Sequence, residues 1–358
     1  MSAEKDSEMK QVLSNNQFKK YLELKEESKD QLKAKYKEKK RGNSQLNYNH
    51  DKLDTNEEYT KFTTKDGRER QYILHVPFDM ENNNQLLPLV IVLHGTYGTG
   101  KKMQIGLGFD SYADQYGFMV AYPDAYTKKS EKQTTRWNDG RNVLESSKMN
   151  INDVSFILEM IEHINSKKPI DRQRIYVTGA SNGGIMTYRL GCEASGTFAA
   201  IAPVIGNIAD NQNSSNSSYY YNCYPESPVS LLAINGDADP FIPFNGGEVC
   251  KGISKNFCEG GYVVSVEKSL QKFIKVNGCS GQYVSEFLPE IKNDGTKVEK
   301  RVYDCRDNIE IISYIIHNGG HTWPPNTPQL GDKSGITSQN IDATKVIVEF
   351  FMNHTKTN

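Results

Sequence analysis

The sequence predicts an α/β chain built on a mostly parallel, doubly wound sheet with helices on both faces. Three observations predict it. From residue 59 onward, short β-branched and aromatic runs alternate with amphipathic segments, the pattern of parallel strands joined by crossover helices. One run, Ile175-Tyr176-Val177-Thr178, passes through Gly179-Ala180-Ser181-Asn182-Gly183-Gly184 into an apolar helical series of Ile185, Met186, Tyr188 and Leu190. This is a G-x-S-x-G turn in its required strand–turn–helix setting. Lastly, a serine, an aspartate and a histidine each follow a strand, in that order along the chain: Ser181, then Asp237 or Asp239, then His317 or His321.

The chain has 358 residues, room for one large α/β domain and an appendage. Residues 1–56 read as the appendage. Gln17 to Arg41 is dense in Lys and Glu, with i,i+4 apolar pairs at Phe18/Leu22 and Leu32/Tyr36 and a charge pair at Asp30/Lys33. Such a stretch is partly helical or disordered, and binding a partner is a further possibility. Asn, Asp and Gly between Gly42 and Glu58 read as a linker. The main domain then occupies 57–358.

Within it, Phe62-Thr63-Thr64 and Gln71 to Pro77 form a hairpin turning at Asp66-Gly67. Leu87 to Leu93 is a continuous apolar run, expected as a central strand buried on both faces. It ends in the glycine-flanked turn His94 to Gly100. Phe109 to Tyr116 follows as a helix and Phe118 to Pro123 as a strand. Arg136 to Gly140 is a polar loop carrying Trp137. Asn152 or Asp153 caps a helix whose face holds Val154, Ile157, Met160, Ile161 and Ile164. Phe198 to Ile205 and Pro228 to Ile234 are further strands, separated by a Ser/Asn/Tyr-rich loop. A helix over Val264 to Val276, a last strand over Ile309 to Ile316 and a closing helix over Ile341 to Met352 complete the domain.

Composition narrows the function classes. A net charge of -1 gives no electrostatic case for nucleic acid. Apolar residues make up 37% of the chain, enough for a core, while the mean hydropathy of -0.65 marks a strongly polar chain. No apolar run reaches bilayer-spanning length. Residues 1–30 lack the apolar region of a signal peptide, whereas six cysteines fit three disulfides and an oxidising compartment. The two are reconciled if the numbering begins after signal removal, giving a secreted or periplasmic protein. The alternative is a cytoplasmic protein with reduced cysteines.

The chemistry is that of acyl transfer. Serine is a poor nucleophile until a histidine takes its proton, and the histidine needs an acid to hold its tautomer. Ligands in open α/β sheets bind at the carboxyl ends of strands, where all three groups fall. Their order along the chain is that of the α/β-hydrolase fold. Ser181 is the expected nucleophile. Spacing alone does not choose between Asp237 and Asp239, or between His317 and His321. The expected oxyanion donors are the backbone N–H groups of Asn182 and of Thr96, in the loop that His94-Gly95 shapes. Trp323 is expected either as an aromatic wall for the acyl group or as a core residue. No cofactor is required, and no metal, since no His/Cys cluster has ligand spacing.

Residues from about 65 to 350 resemble the secreted polyhydroxybutyrate depolymerase and feruloyl esterase family of α/β-hydrolases. The resemblance lies in Asp66-Gly67-Arg68 with Tyr72 to Pro77, Leu93-His94-Gly95, Trp137 to Gly140, Asn152 to Phe156, and Ile170-Asp171 with Arg174 to Gly179. It extends through Ala199 to Gly206, the Gly-x-x-Asp-Pro loop at Gly236 to Pro240, and Gly319-Gly320-His321-Thr322-Trp323-Pro324. It implies Asp239 as the acid and His321 as the base. Asn235 stands where the family has histidine and Asn318 where it has glycine, two departures expected to bear on substrate choice. The resemblance implies a serine esterase acting on polymer-linked esters, either feruloyl or acetyl groups on polysaccharide or a polyhydroxyalkanoate. The alternatives are a peptidase or acyltransferase on the same fold, and a non-catalytic binding protein.

The cysteines are expected to pair as Cys192–Cys223, Cys250–Cys258 and Cys279–Cys305. The first would tether the long polar loop to the helix behind the elbow, and the second close a local ring. The third would pin the segment that feeds the last strand.

Overall fold

The computed structural model describes residues 59–77, 85–126, 135–210, 223–253, 258, 260–306, 308–326 and 331–356. The expectations placed on residues 1–56 lie outside them.

The described strands are β1 (Thr60–Thr63), β2 (Glu69–His75), β3 (Leu87–Leu93), β4 (Met119–Pro123), β5 (Ile170–Ala180), β6 (Ala200–Val204), β7 (Ser230–Gly236), β8 (Gly247–Glu248), β9 (Tyr262–Val263), β10 (Tyr283–Phe287), β11 (Lys297–Tyr303) and β12 (Ile311–His317). Strand β8 pairs with β9, and the others form one ten-stranded sheet in the order β1-β2-β4-β3-β5-β6-β7-β12-β11-β10. Strands β1 and β2 pair antiparallel as the expected hairpin. Strands β3, β4, β5, β6, β7 and β12 make the parallel centre. The doubly wound arrangement follows from alternation. In β3, every residue of which is buried, Leu89, Ile91 and Leu93 enter one core and Val90 and Val92 the other.

Helices α1 (Gly100–Leu107) and α2 (Phe109–Tyr116) follow β3. Helix α3 (Asp153–Asn165) precedes β5, and α4 (Asn182–Glu193) and α5 (Val266–Val276) follow β5 and β7. The last helix is α6 (Ala343–Met352). The first core takes Phe156, Met160 and Ile164 of α3, Met186 and Leu190 of α4, and Leu270 and Phe273 of α5. The second takes Met103 of α1, Phe109 and Ala113 of α2, and Ile347, Val348 and Phe351 of α6. Asn152 caps α3, its side chain accepting the Ser155 N–H at 2.9 Å.

Some elements carry no clear apolar signal in the sequence. Strands β10 and β11 extend the sheet antiparallel beyond β12. Strand β10 is exposed throughout, and in β11 the apolar Val298, Val302 and Tyr303 are interrupted by charged residues, so no apolar run marked them. Helix α1 also escaped notice, because Gly100, Gly106 and two lysines obscure its short apolar face. A third, small cluster of Ile185, Phe241, Ile242, Val249, Cys250 and Val263 sits beside the carboxyl ends of the strands. The disulfides are Cys192–Cys223, Cys250–Cys258 and Cys279–Cys305, and no cysteine is free. Among the described residues, no helix is long and apolar enough to cross a membrane.

Candidate active site

Ser181 sits between β5 and α4 with φ 59° and ψ -120°, a backbone conformation that L-residues adopt only when their surroundings enforce it. The enforcement is visible in the packing. The Ser181 N–H donates to the Val204 carbonyl of β6 at 3.0 Å. Helix α4 presses against the end of β3 so closely that a Cβ at Gly183 would lie 2.5 Å from the Leu93 carbonyl oxygen and 2.6 Å from that of His94. Only glycine allows that approach.

The loops after β7 and β12 meet in the same way. A Cβ at Gly236 would collide with the Gly319 backbone, and Asp237 and Ala238 donate their N–H groups to the Ile316 and Gly319 carbonyls at 3.1 and 3.0 Å. This contact separates the paired candidates that spacing left open. His321 Nδ1 lies 2.6 Å from Asp239 Oδ2, with side-chain exposures of 9% and 3%. Asp239 Oδ1 accepts two backbone N–H groups, from Phe241 at 2.8 Å and Ile242 at 2.9 Å. Three donors thus converge on one buried carboxylate. Asp237 pairs instead with His317, at 2.9 Å and with exposures of 33% and 35%. Its other oxygen accepts the Asn318 N–H at 2.7 Å, and His317 Nε2 lies 3.3 Å from Glu299.

A cavity of about 330 Å³ has both Ser181 and His321 in its lining. Gly95, Thr96 and Tyr97 of the loop after β3 border it on one side, and Met103 and Leu107 of α1 on another. Phe241, Ile242, Val249, Cys250 and Cys258 supply an apolar wall. A second hollow of about 780 Å³, lined by Leu158, Glu162 and Arg172 among others, contains neither Ser181 nor His321.

Asn182 is the first residue of α4, so its N–H has no acceptor within the helix. Gly95 lies against the serine, a Cβ there reaching 3.3 Å from Ser181 Cβ, and this brings the Thr96 loop to the same point. His94 is wholly buried. Its Nε2 accepts the Ala125 N–H at 3.0 Å, leaving Nδ1 to donate to the Gly95 carbonyl at 2.7 Å. Burial pushes the imidazole below its ordinary pKa. It shapes the loop and does not line the cavity.

Trp323 lines the cavity and is also packed. It is 6% exposed, its Nε1–H donates to Thr344 Oγ1 at 3.0 Å, and Phe109 meets it edge-on at 6.1 Å. The two departures, Asn235 and Asn318, lie outside the lining. The Asn235 side chain donates to the Gly206 carbonyl and Asn207 Oδ1, both at 3.3 Å. Asn318 has φ 60°, a conformation asparagine tolerates after glycine, and donates to the Gly295 carbonyl at 3.1 Å. No cluster of three or more His, Cys, Asp or Glu suited to a metal occurs among the described residues.

The loop of Trp137 and Asp139 was expected only as a polar connection, yet both residues are wholly buried behind the serine. The available signal was one of only two tryptophans, followed by an aspartate and a glycine, in an otherwise polar loop.

A family model described as esterase PHB depolymerase matches residues 71–237. The chain is similar to NocK of Nocardia uniformis subsp. tsuyamanensis, named as an esterase, 26% identical over 292 residues that cover 80% of each protein. It is also similar to feruloyl esterase B of Piromyces equi, 27% identical over 237 residues, 65% of this chain and 39% of that protein. Among solved structures, an acetyl xylan esterase from Aspergillus awamori superposes with a TM-score of 0.51 at 15% identity, covering 83% of this chain and 99% of that one. At that identity the likeness speaks for the fold, which is that of the α/β-hydrolases.

Proposed function

We propose, for a chain whose residues 71–237 belong to the esterase PHB depolymerase family and which is therefore a carboxylic ester hydrolase, that hydrolysis runs through an acyl-enzyme on Ser181. The observation that carries this reading is one cavity lined by both Ser181 and His321, with Asp239 2.6 Å behind the imidazole. Neutral His321 takes the Ser181 proton on Nε2 while its Nδ1–H stays bonded to Asp239. Ser181 Oγ attacks the ester carbonyl, and the oxyanion is held by the N–H groups of Asn182 and Thr96. Collapse expels the alcohol, protonated by His321. Water, deprotonated by His321, then attacks the acyl-enzyme, releasing the acid and regenerating Ser181.

The substrates are esters attached to a polymer, feruloyl or acetyl groups on polysaccharide or a polyhydroxyalkanoate. The family and the feruloyl esterase relative support that class. The apolar wall of Phe241, Ile242 and Val249 suits an apolar acyl group. Three disulfides support a secreted or periplasmic location. The deciding experiment compares wild type and Ser181→Ala on feruloyl, acetyl, short-chain nitrophenyl and polyhydroxybutyrate substrates, with a fluorophosphonate probe. Wild type is expected to hydrolyse at least one polymer-linked ester and to be labelled at Ser181. Removal of the nucleophile costs on the order of a millionfold in turnover. Persistent labelling or hydrolysis in the alanine variant would overturn the mechanism.

A further inference from the structure

We propose that Trp137, clasped by the side-chain amide of Asn182, is a positioning residue that fixes the spacing of the two oxyanion donors. The proposal rests on the acyl-enzyme reading above. The donors come from different places, Asn182 at the start of α4 and Thr96 in a loop beyond the end of β3. Strand pairing of β3 with β5 stops at Leu93 and Gly179, short of both. Something past the sheet must set their separation.

Trp137 makes that connection. Its indole Nε1–H donates to the His94 carbonyl at 2.8 Å, two residues before Thr96. Its ring lies 5.0 Å from the His94 imidazole. On the other side, the Trp137 N–H donates to Asn182 Oδ1 at 2.7 Å, and its carbonyl accepts from Asn182 Nδ2 at 3.1 Å. One residue therefore grips the roots of both donor positions.

The grip is itself anchored. Asn182 Nδ2 also donates to Asp139 Oδ2 at 2.6 Å, so the amide makes three bonds while its residue is 1% exposed. Asp139 is held by Arg141, Nη2 to Oδ2 2.8 Å, and Arg141 Nη1 donates to the Gly260 carbonyl at 2.8 Å. A fully satisfied polar network in a buried setting is stiff. Trp137 also packs on Phe156, with ring centroids 6.4 Å apart, and a core role accounts for that contact. It does not account for a side-chain amide closing on both backbone groups of the tryptophan. Oxyanion donors stabilise charge only where it develops, so their placement must hold within a fraction of an ångström.

The test uses Trp137→Phe, which keeps an aromatic ring and loses the Nε1–H, and Asn182→Ala, which keeps the backbone donor and loses the clasp. Each variant is active-site titrated with a fluorophosphonate. Each is then assayed on a short-chain nitrophenyl ester and with a trifluoromethyl ketone, whose adduct with a serine carries an oxyanion. We expect kcat to fall about 10- to 100-fold with KM within about threefold, and the inhibition constant to rise by the factor that kcat/KM falls. Because both changes cut one connection, the double variant should lose little more than either single one. Wild-type kcat per titrated site and wild-type inhibition in a variant with a lowered Tm would overturn the proposal and leave Trp137 a core residue. If Trp137→Phe does not fold, Asn182→Ala carries the same comparison. Hydrolysis surviving in Ser181→Ala would instead point to failure of the acyl-enzyme reading.

Discussion

At the scale of single residues, Asp237 and Asp239 stand two apart in one loop, yet their surroundings separate them. Asp239 is nearly inaccessible and receives the His321 imidazole and two backbone N–H groups, whereas Asp237 is a third exposed and serves His317. Asp239→Asn should therefore lower kcat by about ten-thousandfold, the loss seen when the acid of a serine triad is neutralised. Asp237→Asn should cost less than about tenfold, as expected of a surface ion pair. Steady-state kinetics on one nitrophenyl ester checks the pair, and equal losses would remove Asp239 from its role. Sequence position did not make this distinction; the family resemblance did. What spacing lacked was the meeting of the loops at Gly236 and Gly319, which depends on the parallel register of β7 and β12. His94 yields a second residue-scale prediction. Burial holds its imidazole neutral below the ordinary value of 6.5, so as pH falls through about 6.5 the unfolded chain binds a proton that the native protein refuses. Stability is then lost with falling pH, by up to about 1.4 kcal/mol per unit for this group. His94→Asn should flatten the Tm–pH profile just below the ordinary value of 6.5, and an unaltered slope would show that other groups govern it.

At the scale of elements, apolar content decided what could be read. Strand β3 and helices α3 and α6 announced themselves because burial on two faces or one demands continuous or periodic apolar residues. Strand β10 has no such need, since it is exposed throughout, and β11 buries only scattered apolar residues such as Val298 and Tyr303. The elbow was legible for a different reason, its glycines being dictated by contact between elements. Gly183→Ala would drive a methyl into the Leu93 and His94 carbonyls. Overpacking of this kind costs about 1–3 kcal/mol, so Tm should fall by several degrees, and the fraction of protein titrated by fluorophosphonate should fall with it. A variant with wild-type Tm and full labelling would mean that α4 can retreat from β3 without consequence.

At the scale of the molecule, the disulfides add covalent links to the hydrogen-bonded ones of the sheet. Cys279–Cys305 closes 26 residues, which include β10 and β11, and Cys192–Cys223 closes 31 between α4 and the segment before β7. Loops of this size correspond to roughly 3–4 kcal/mol each in the chain-entropy account. Thiol titration of the unfolded, unreduced protein should find no free thiol, and Cys279→Ala/Cys305→Ala should melt at a clearly lower temperature. Six free thiols would remove the case for an oxidising compartment. The Cys250–Cys258 bond has another bearing. It staples part of the wall that faces the cavity, a wall carried by the third small cluster, whose Phe241 and Ile242 also give their backbone N–H groups to Asp239. Acid and wall are thus neighbours along the chain, Asp239 standing two residues before Phe241. A change at Val249 would reshape the wall alone, whereas a change at Phe241 or Ile242 would be felt by the acid as well.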